Sequence, residues 1–240
     1  MTLNTFGFPL KIPDNIAADI VENSQLIHNW RNRLDPSVHI EDASIVTIDL
    51  FGKRIGYVEI EANYTLNNIK NTEKFILSGE SCMVLVLLHS IDTNENFTVL
   101  VQQPRVGCGK IMYEFPAGST DGSKDFLATA ARELAEEVGI HCDVSDMIQV
   151  SQLFCPEHPK TYLNHPRFDQ SMLFYLVIQK LTKNEIMEYE GKQRGAEEDE
   201  QISLHVIPFE ESWKYANEPA SLTNFLMVQE LIASGKISLQ

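Results

Sequence analysis

Apolar and polar residues repeat with two different periods along the first third of the chain. Residues 15–34 place their apolar side chains at helical spacing, which predicts a helix that packs on a core. Residues 43–75 change to strict alternation, with SIVTIDL at 44–50 and RIGYVEIEANYTL at 54–66 separated by the turn FGKR. A helix followed by a β-rich segment is therefore predicted.

Strands and helices interleave in the rest of the chain. The pattern predicts strands at residues 82–90, 96–103, 111–115, 147–154, 172–179 and 202–207, a charged loop at 190–201 and a C-terminal helix beginning near Ser221. Because the order lacks regular βαβ alternation, we expect an α/β protein with a mixed sheet and helices on both faces. We place a boundary near Ser78, between an N-terminal β-rich arm (residues 1–78) and a larger domain (residues 79–240).

An acidic helix carries most of the predicted chemistry. The segment from Gly118 to Ile140 reads GSTDGSKDFLATAARELAEEVGI, and Asp125 is suited to cap a helix that starts at Phe126. At about 100° per residue, Glu133, Glu136 and Glu137 share one sector, opposite an apolar stripe. The members of that stripe are Leu127, Ala131, Leu134 and Val138. Carboxylates four residues apart repel each other, whereas a hard divalent cation would remove the repulsion.

Composition narrows the classes of partner. The 240 residues carry a formal charge of −15 and are 43% apolar, so the chain can bury a full core and is not disordered throughout. The negative charge argues against wrapping nucleic acid or lying on an anionic membrane. It also makes local basic residues conspicuous, since an anionic substrate needs them.

The sequence predicts a soluble protein of a reducing compartment, most simply the cytosol. The longest apolar run, Met83 to Leu88, is too short to cross a bilayer, and MTLNTFGFPLKIPDN has neither signal-peptide nor transit-peptide character. The four cysteines form no CxxC pair and do not suggest a disulfide scaffold. Cys155, His158 and His165 are close enough in sequence to suggest zinc, but no fourth ligand has suitable spacing.

The acidic helix resembles the Nudix box, G-x5-E-x7-R-E-(apolar)-x-E-E-x-G-(apolar). Its eight matching positions are Gly118, Arg132, Glu133, Leu134, Glu136, Glu137, Gly139 and Ile140. The slot of the first glutamate instead holds Lys124, followed by Asp125. In the family that glutamate is an accessory acid, so the resemblance stands with one departure.

The resemblance extends over nearly the whole chain. In this wider pattern the chain is similar to the nucleoside-diphosphate-sugar hydrolases of the family. Its stretches are FGKRIG (51–56), QQPRVGCGKI (102–111), EFPAG (114–118) and EEDEQISLHVIPFEESW (197–213), all like the ADP-sugar diphosphatase group. DQSMLFY (169–175) is also similar to the UDP-glucose diphosphatase branch. The resemblance implies a Nudix fold, in which a mixed β-sheet lies between helices, with the β-rich arm at its N-terminus.

The same resemblance implies a magnesium-dependent diphosphatase. Glu133 and Glu137 would hold bridging Mg²⁺ ions, for which Mn²⁺ can substitute, with Glu136 and the carbonyl of Ala117 as further ligands. Arg132 would orient a box carboxylate. The reaction would cleave ADP-ribose or ADP-glucose to a nucleoside monophosphate and a sugar phosphate.

The general base is predicted outside the box. Glu200 aligns with the loop glutamate that serves as base in ADP-ribose-type members, with Glu198 and Asp199 as alternatives. A solvated acidic loop would have the same composition.

The resemblance also implies the residues that bind substrate. Arg105 matches an arginine that grips the diphosphate, Glu114 leads into the PAG turn, and Arg54 sits where related enzymes contact nucleotide from the partner subunit. A homodimer is therefore expected. Trp30, Phe51 and Tyr57 are candidates to stack on the base, although aromatic residues of this kind more often belong to a core.

Three alternatives remain open at this point. UDP-glucose could be the substrate, since the sequence chooses neither the base nor the sugar. The chain could also be a Nudix module that binds nucleotide sugars without turnover, which Lys124 favours, whereas the intact box carboxylates favour catalysis. Hydrolysis of RNA ends fits the box but not the acidic chain.

Overall fold

The computed structural model describes residues 1–120, 122–163, 165–195 and 202–239. The chain divides into two compact units, each with a hydrophobic core. The first unit comprises Met1–Glu80 and Asn164–Ser171, and the second comprises Ser81–Leu163 and Met172–Gln240. None of the helices among the described residues is long and apolar enough to cross a membrane.

The first unit is a five-stranded sheet with two short helices. Its elements are β1 (Thr2–Leu3), β2 (Leu10–Lys11), α1 (Ala18–Glu22), α2 (Gln25–Arg33), β3 (Val38–Phe51), β4 (Arg54–Leu66) and β5 (Ile69–Leu77), with strand order β1-β2-β3-β4-β5. The predicted strand at 54–66 is confirmed as β4, and the turn before it contains Gly52 at φ +63°. The single helix predicted over residues 15–34 is wrong, because Ser24 interrupts it and its hydroxyl caps α2 by accepting from the amide of Ile27.

The second unit contains a larger sheet and five helices among its described residues. Its elements are β6 (Glu80–Ser90), β7 (Asn96–Arg105), β8 (Lys110–Glu114), β9 (Ala117–Ser119), α3 (Phe126–Glu133), α4 (Val150–Phe154), β10 (Thr161–Tyr162), β11 (Ser171–Leu181), α5 (Lys183–Met187), β12 (Gln193–Arg194), β13 (Ile202–Pro208), α6 (Ser212–Tyr215) and α7 (Pro219–Ala233). The main path runs β10-β11-β6-β7-β13-β12, while β8 pairs with β7 and β9 pairs with β6.

Strand β6 is buried on both faces, which explains its nearly continuous apolar sequence. Its side chains alternate between two cores, as the period of a strand requires. Cys82, Val84, Val86 and Leu88 pack with residues of α3, whereas Met83, Leu85 and Leu87 pack with residues of α4 and α7. The expected mixed sheet between helices is confirmed.

The acidic helix begins as predicted and then changes its winding. Asp125 accepts a 3.0 Å hydrogen bond from the amide of Ala128, which confirms the predicted cap. After Glu133 the backbone forms a π-helical turn over Leu134–Val138. The helix then ends at Gly139, whose φ is +78°. A constant 100° per residue therefore fails over the last five residues, because a π turn bonds i to i+5.

The strand predicted at residues 147–154 is wrong. Val150–Phe154 is the helix α4, and only Ile148 forms an isolated bridge, with Leu176. The reason is tertiary, since Val150 enters the core and the hydroxyl of Ser151 accepts a 2.8 Å hydrogen bond from the amide of Phe174. Apolar residues in a segment this short fit either period.

We expect Asp125→Ala to lower the free energy of unfolding by about 1 kcal/mol, because the first turn of α3 loses its cap. Asp125→Asn retains a side-chain oxygen at the cap and should unfold like the parent protein. Urea denaturation followed by circular dichroism measures both. Equal destabilisation by the two variants would show that the cap contributes nothing.

Candidate active site

The turn between β8 and β9 brings a backbone amide to a box glutamate. The amide of Ala117 donates a 3.0 Å hydrogen bond to Oε2 of Glu137, whose residue is only 4% exposed. The carbonyl of Pro116 accepts a 2.9 Å hydrogen bond from the amide of Val84, which ties the turn to β6. The carboxylate of Glu137 is thus held at the turn that carries Ala117.

Arg132 holds the other two box glutamates. Its guanidinium contacts Oε1 of Glu133 at 2.5 Å and Oε2 of Glu136 at 2.6 Å. Burial alone would lower the pKa of Arg132, but the two carboxylates outweigh it and raise that pKa. Glu133 is 9% exposed, so this pairing partly offsets the cost of burying its charge.

Gly118 leaves room for the carboxylate of Glu133. A Cβ at position 118 would lie 1.9 Å from Oε1 of Glu133, well inside the contact distance. The glycine at the first position of the box pattern therefore has a steric reason here: any side chain at 118 displaces the carboxylate. Glu133 and Glu137 consequently both pack against the turn formed by residues 116–118.

Cys82 lies beneath this turn and remains a neutral thiol. Its Sγ is 3.8 Å from the carbonyl oxygen of Gly118. Burial raises the pKa of Cys82 to about 12, and the negative charge of Glu133 adds to the shift. A neutral thiol suits a position next to a carboxylate, because a thiolate there would add a second unfavourable charge.

Arg105 in β7 and Glu114 in β8 form a bidentate ion pair. Nε of Arg105 contacts Oε1 of Glu114 at 2.9 Å, and Nη2 contacts Oε2 at 2.5 Å. The hydrogen bond to Glu114 raises the pKa of Arg105, and the charges of Glu137 and Glu218 raise it further. The structure thus brings the predicted diphosphate-binding arginine into the electrostatic field of the box.

Other predicted site residues are placed elsewhere. Arg54 lies in the first unit, with its guanidinium 5.6 Å from the ring centroid of Phe51. Trp30 is buried in the core of that unit, which removes it as a stacking platform, whereas Phe51 and Tyr57 are about half exposed. Glu200, with its alternatives Glu198 and Asp199, lies outside the described residues.

The donor set matches a hard divalent cation in type. The carboxylates of Glu133 and Glu137 are buried beside a backbone turn, and that of Glu136 is partly exposed. Carboxylate and carbonyl oxygens are the ligands that Mg²⁺ takes in proteins. Within the described ranges, however, no three His, Cys, Asp or Glu side chains are grouped closely enough to enclose an ion. The pairing of Arg132 with Glu133 and Glu136 is consistent with this, since the guanidinium engages two of the predicted ligands.

Sequence reasoning missed Glu218, which caps α7 and acts on Arg105. Its carboxylate accepts hydrogen bonds from the amides of Ala220 and Ser221. The signal was Pro219, because proline favours the first position of a helix and so marks the preceding residue as the cap. Its proximity to Arg105 is a tertiary feature that no local pattern contains.

We expect Gly118→Ala to weaken Mn²⁺ binding by about tenfold or more, the scale of a displaced group that orients a ligand. The added methyl collides with the side chain of Glu133 and not with backbone, so the fold should change little. Calorimetric titration with Mn²⁺ and thermal unfolding measure the two effects. Gly107→Ala is the control, because nothing lies within 4 Å of a Cβ there, and equal Mn²⁺ affinity in both variants would contradict the steric assignment.

Comparison with known proteins identifies the family. The family description "NUDIX domain" matches residues 84–226, which is more than half of the chain. Nudix hydrolase 14, chloroplastic, from Arabidopsis thaliana is 30% identical over 231 residues, covering 91% of this chain and 74% of that protein. The methanol dehydrogenase activator of Bacillus methanolicus is 26% identical over 178 residues, covering 74% of this chain and 84% of that protein.

A solved structure supports the fold. The crystal structure of an ADP compounds hydrolase superposes with a TM-score of 0.53 at 15% identity, covering 82% of this chain and 98% of the other. With the box carboxylates gathered at one turn and the family description spanning most of the second unit, the chain belongs to the Nudix hydrolase family.

Proposed function

We propose that this Nudix hydrolase cleaves the diphosphate bond of a nucleoside diphosphate sugar, ADP-ribose or ADP-glucose, to a nucleoside monophosphate and a sugar phosphate. The observation that carries the proposal is the packing of Glu133 and Glu137 against one turn, with Arg105 in the field of Glu137. The adenine preference is supported by the wider resemblance in sequence and by the solved neighbour, which is an ADP compounds hydrolase.

Cleavage of a diphosphate is chiefly a problem of charge, and the protein supplies both signs. Glu133, Glu137 and Glu136, with the carbonyl of Ala117, would hold Mg²⁺, which when bound neutralises phosphate oxygens and lowers the pKa of a water ligand. Arg105 uses Nε and one N–H of Nη2 for Glu114, and its remaining N–H groups would donate to the diphosphate. Glu114 fixes the plane of that guanidinium, and Arg132 restrains two box carboxylates.

The base that takes a proton from the attacking water is assigned from sequence alone. Glu200 stays our prediction, with Glu198 and Asp199 as alternatives. A carboxylate delivered from a loop suits the chemistry because it can approach the water after substrate has bound.

The proposal includes a homodimer in which Arg54 contacts the nucleotide of the partner's site. Support comes from the resemblance in FGKRIG and from the exposure of Phe51 and Tyr57 beside Arg54. The cytosolic location also remains a prediction from the sequence.

We expect light scattering on the purified protein to give twice the chain mass, and a monomer with full activity would contradict the dimer.

UDP-glucose is the alternative substrate, supported by the likeness of residues 169–175 to the UDP-glucose diphosphatase branch.

A second alternative is a module that binds nucleotide sugars without hydrolysis. Its support is Lys124, which is exposed in the turn before α3 and stands where the box pattern has a glutamate. The intact box carboxylates argue for catalysis, because a site that has lost turnover has no evident reason to keep its metal ligands.

We expect the purified protein to convert ADP-ribose or ADP-glucose to AMP only when Mg²⁺ is present, and to act more slowly on UDP-glucose. Separation of the nucleotide products by chromatography checks this. Faster release of UMP from UDP-glucose would shift the assignment to the alternative substrate. Binding of these compounds without any product would favour the binding module.

In the same assay, Glu137→Gln should lower turnover by at least about a hundredfold, the scale of removing one preorganised charge-stabilising group. The amide preserves size, so thermal unfolding should remain close to that of the parent protein. Glu230→Gln, an exposed position near the other end of α7, is the control for the loss of one carboxylate. Full turnover in Glu137→Gln would remove the metal assignment.

A further inference from the structure

We infer that Ser221, at the start of α7, is a positioning residue for the active site, an inference that rests on the proposed function. Its hydroxyl accepts a 3.1 Å hydrogen bond from the amide of Phe115 and lies 3.9 Å from Sδ of Met83, to which it donates. Phe115 stands between Glu114, which orients Arg105, and the turn that carries Ala117. One hydroxyl is therefore attached to the backbone that presents both halves of the site.

The hydrogen bond to Phe115 is isolated from solvent. Ser221 is fully buried and Phe115 is 1% exposed, so water cannot replace the hydroxyl if it is removed. An unsatisfied buried amide is costly, and the turn would move to find another acceptor. Met83 pairs with Ala117 between β6 and β9, so the donor side of the same hydroxyl also contacts a residue next to the turn.

The first turn of α7 is itself fixed close to Arg105. The carboxylate of Glu218 accepts from the amides of Ala220 and Ser221, and its charge raises the pKa of Arg105. The helix end, the hydroxyl of Ser221 and the amide of Phe115 thus form one continuous connection to the turn. A shift of this turn would move Glu114 and so misalign Arg105. It would also move the amide of Ala117 and so misalign Glu137.

Ser151 provides a matched control within the same unit. Its hydroxyl accepts a 2.8 Å hydrogen bond from the amide of Phe174, and both residues are buried on the same side of the sheet as α7. Removing either hydroxyl breaks the same kind of bond to a phenylalanine amide. Phe174 lies within β11, and this strand carries no predicted site residue. Ser151→Ala therefore reports the purely structural cost of losing such a hydrogen bond.

The experiment compares Ser221→Ala with Ser151→Ala in the full chain. Four quantities are measured: the melting temperature, the Mn²⁺ affinity by calorimetry without substrate, and kcat and KM on the nucleoside diphosphate sugar that the parent protein hydrolyses. We expect similar losses of melting temperature in the two variants. Ser221→Ala should in addition lose at least about tenfold in kcat/KM and bind Mn²⁺ more weakly, because small misplacements of oriented groups are costly to rate. Ser151→Ala should keep both values within about twofold of the parent.

The outcomes separate this inference from the proposed function. If the parent hydrolyses the substrate and the two variants have equal kcat/KM and equal Mn²⁺ affinity, the positioning role is wrong while the function stands. If the parent hydrolyses none of the nucleotide sugars but Mn²⁺ binding weakens only in Ser221→Ala, the function is wrong and the positioning role stands. Should Ser221→Ala fail to fold, Ser221→Cys keeps a side chain with a weaker acceptor and should show the same losses in smaller measure. Parent-like kcat/KM and Mn²⁺ affinity in that variant would also overturn the inference.

Discussion

The repulsion between buried carboxylates at one turn is the constraint around which the second unit is arranged. Glu133 and Glu137 lie on successive turns of one helix and are both nearly inaccessible to water. Charges in such a place are unfavourable unless they are paired or hydrogen-bonded. The protein meets this requirement with the guanidinium of Arg132 on one side and the amide of Ala117 on the other. Gly118 then lets the backbone approach Glu133 without a side chain in between.

The segment of residues 114–118, which contains the turn between β8 and β9, is held at several points because it has to serve both the carboxylates and Arg105. Val84 fixes it to β6 through the carbonyl of Pro116, and Ser221 fixes it to α7 through the amide of Phe115. The two-faced sheet makes this arrangement possible. Strand β6 contributes one set of side chains to the core beneath α3 and the other to the core beneath α7, so both helices are positioned by one strand.

Much of this arrangement could be predicted from sequence because it follows local rules. The cap at Asp125 and the strand at 54–66 depend on nearby residues and on period. The π turn after Glu133 and the helix at Val150–Phe154 could not be predicted, since core packing decides them. The role of Ser221 was invisible for the same reason: its partner Phe115 is distant in sequence.

The charges of the site explain why cation and substrate depend on each other in the proposed reaction. Among the described residues, Arg105 and Arg132 face the five carboxylates of Glu114, Glu133, Glu136, Glu137 and Glu218. An anionic diphosphate that approached this excess of negative charge would be repelled, and both arginines are already engaged with glutamates. The guanidiniums alone therefore cannot make the site attractive to substrate. A divalent cation at the box carboxylates would remove two of the three excess negative charges, and a second ion would reverse the local sign. Their charge would be felt strongly because Glu133 and Glu137 are shielded from water. Lys124, exposed in the turn before α3, stands where the box pattern has a glutamate, and this change leaves the buried pair of Glu133 and Glu137 in place.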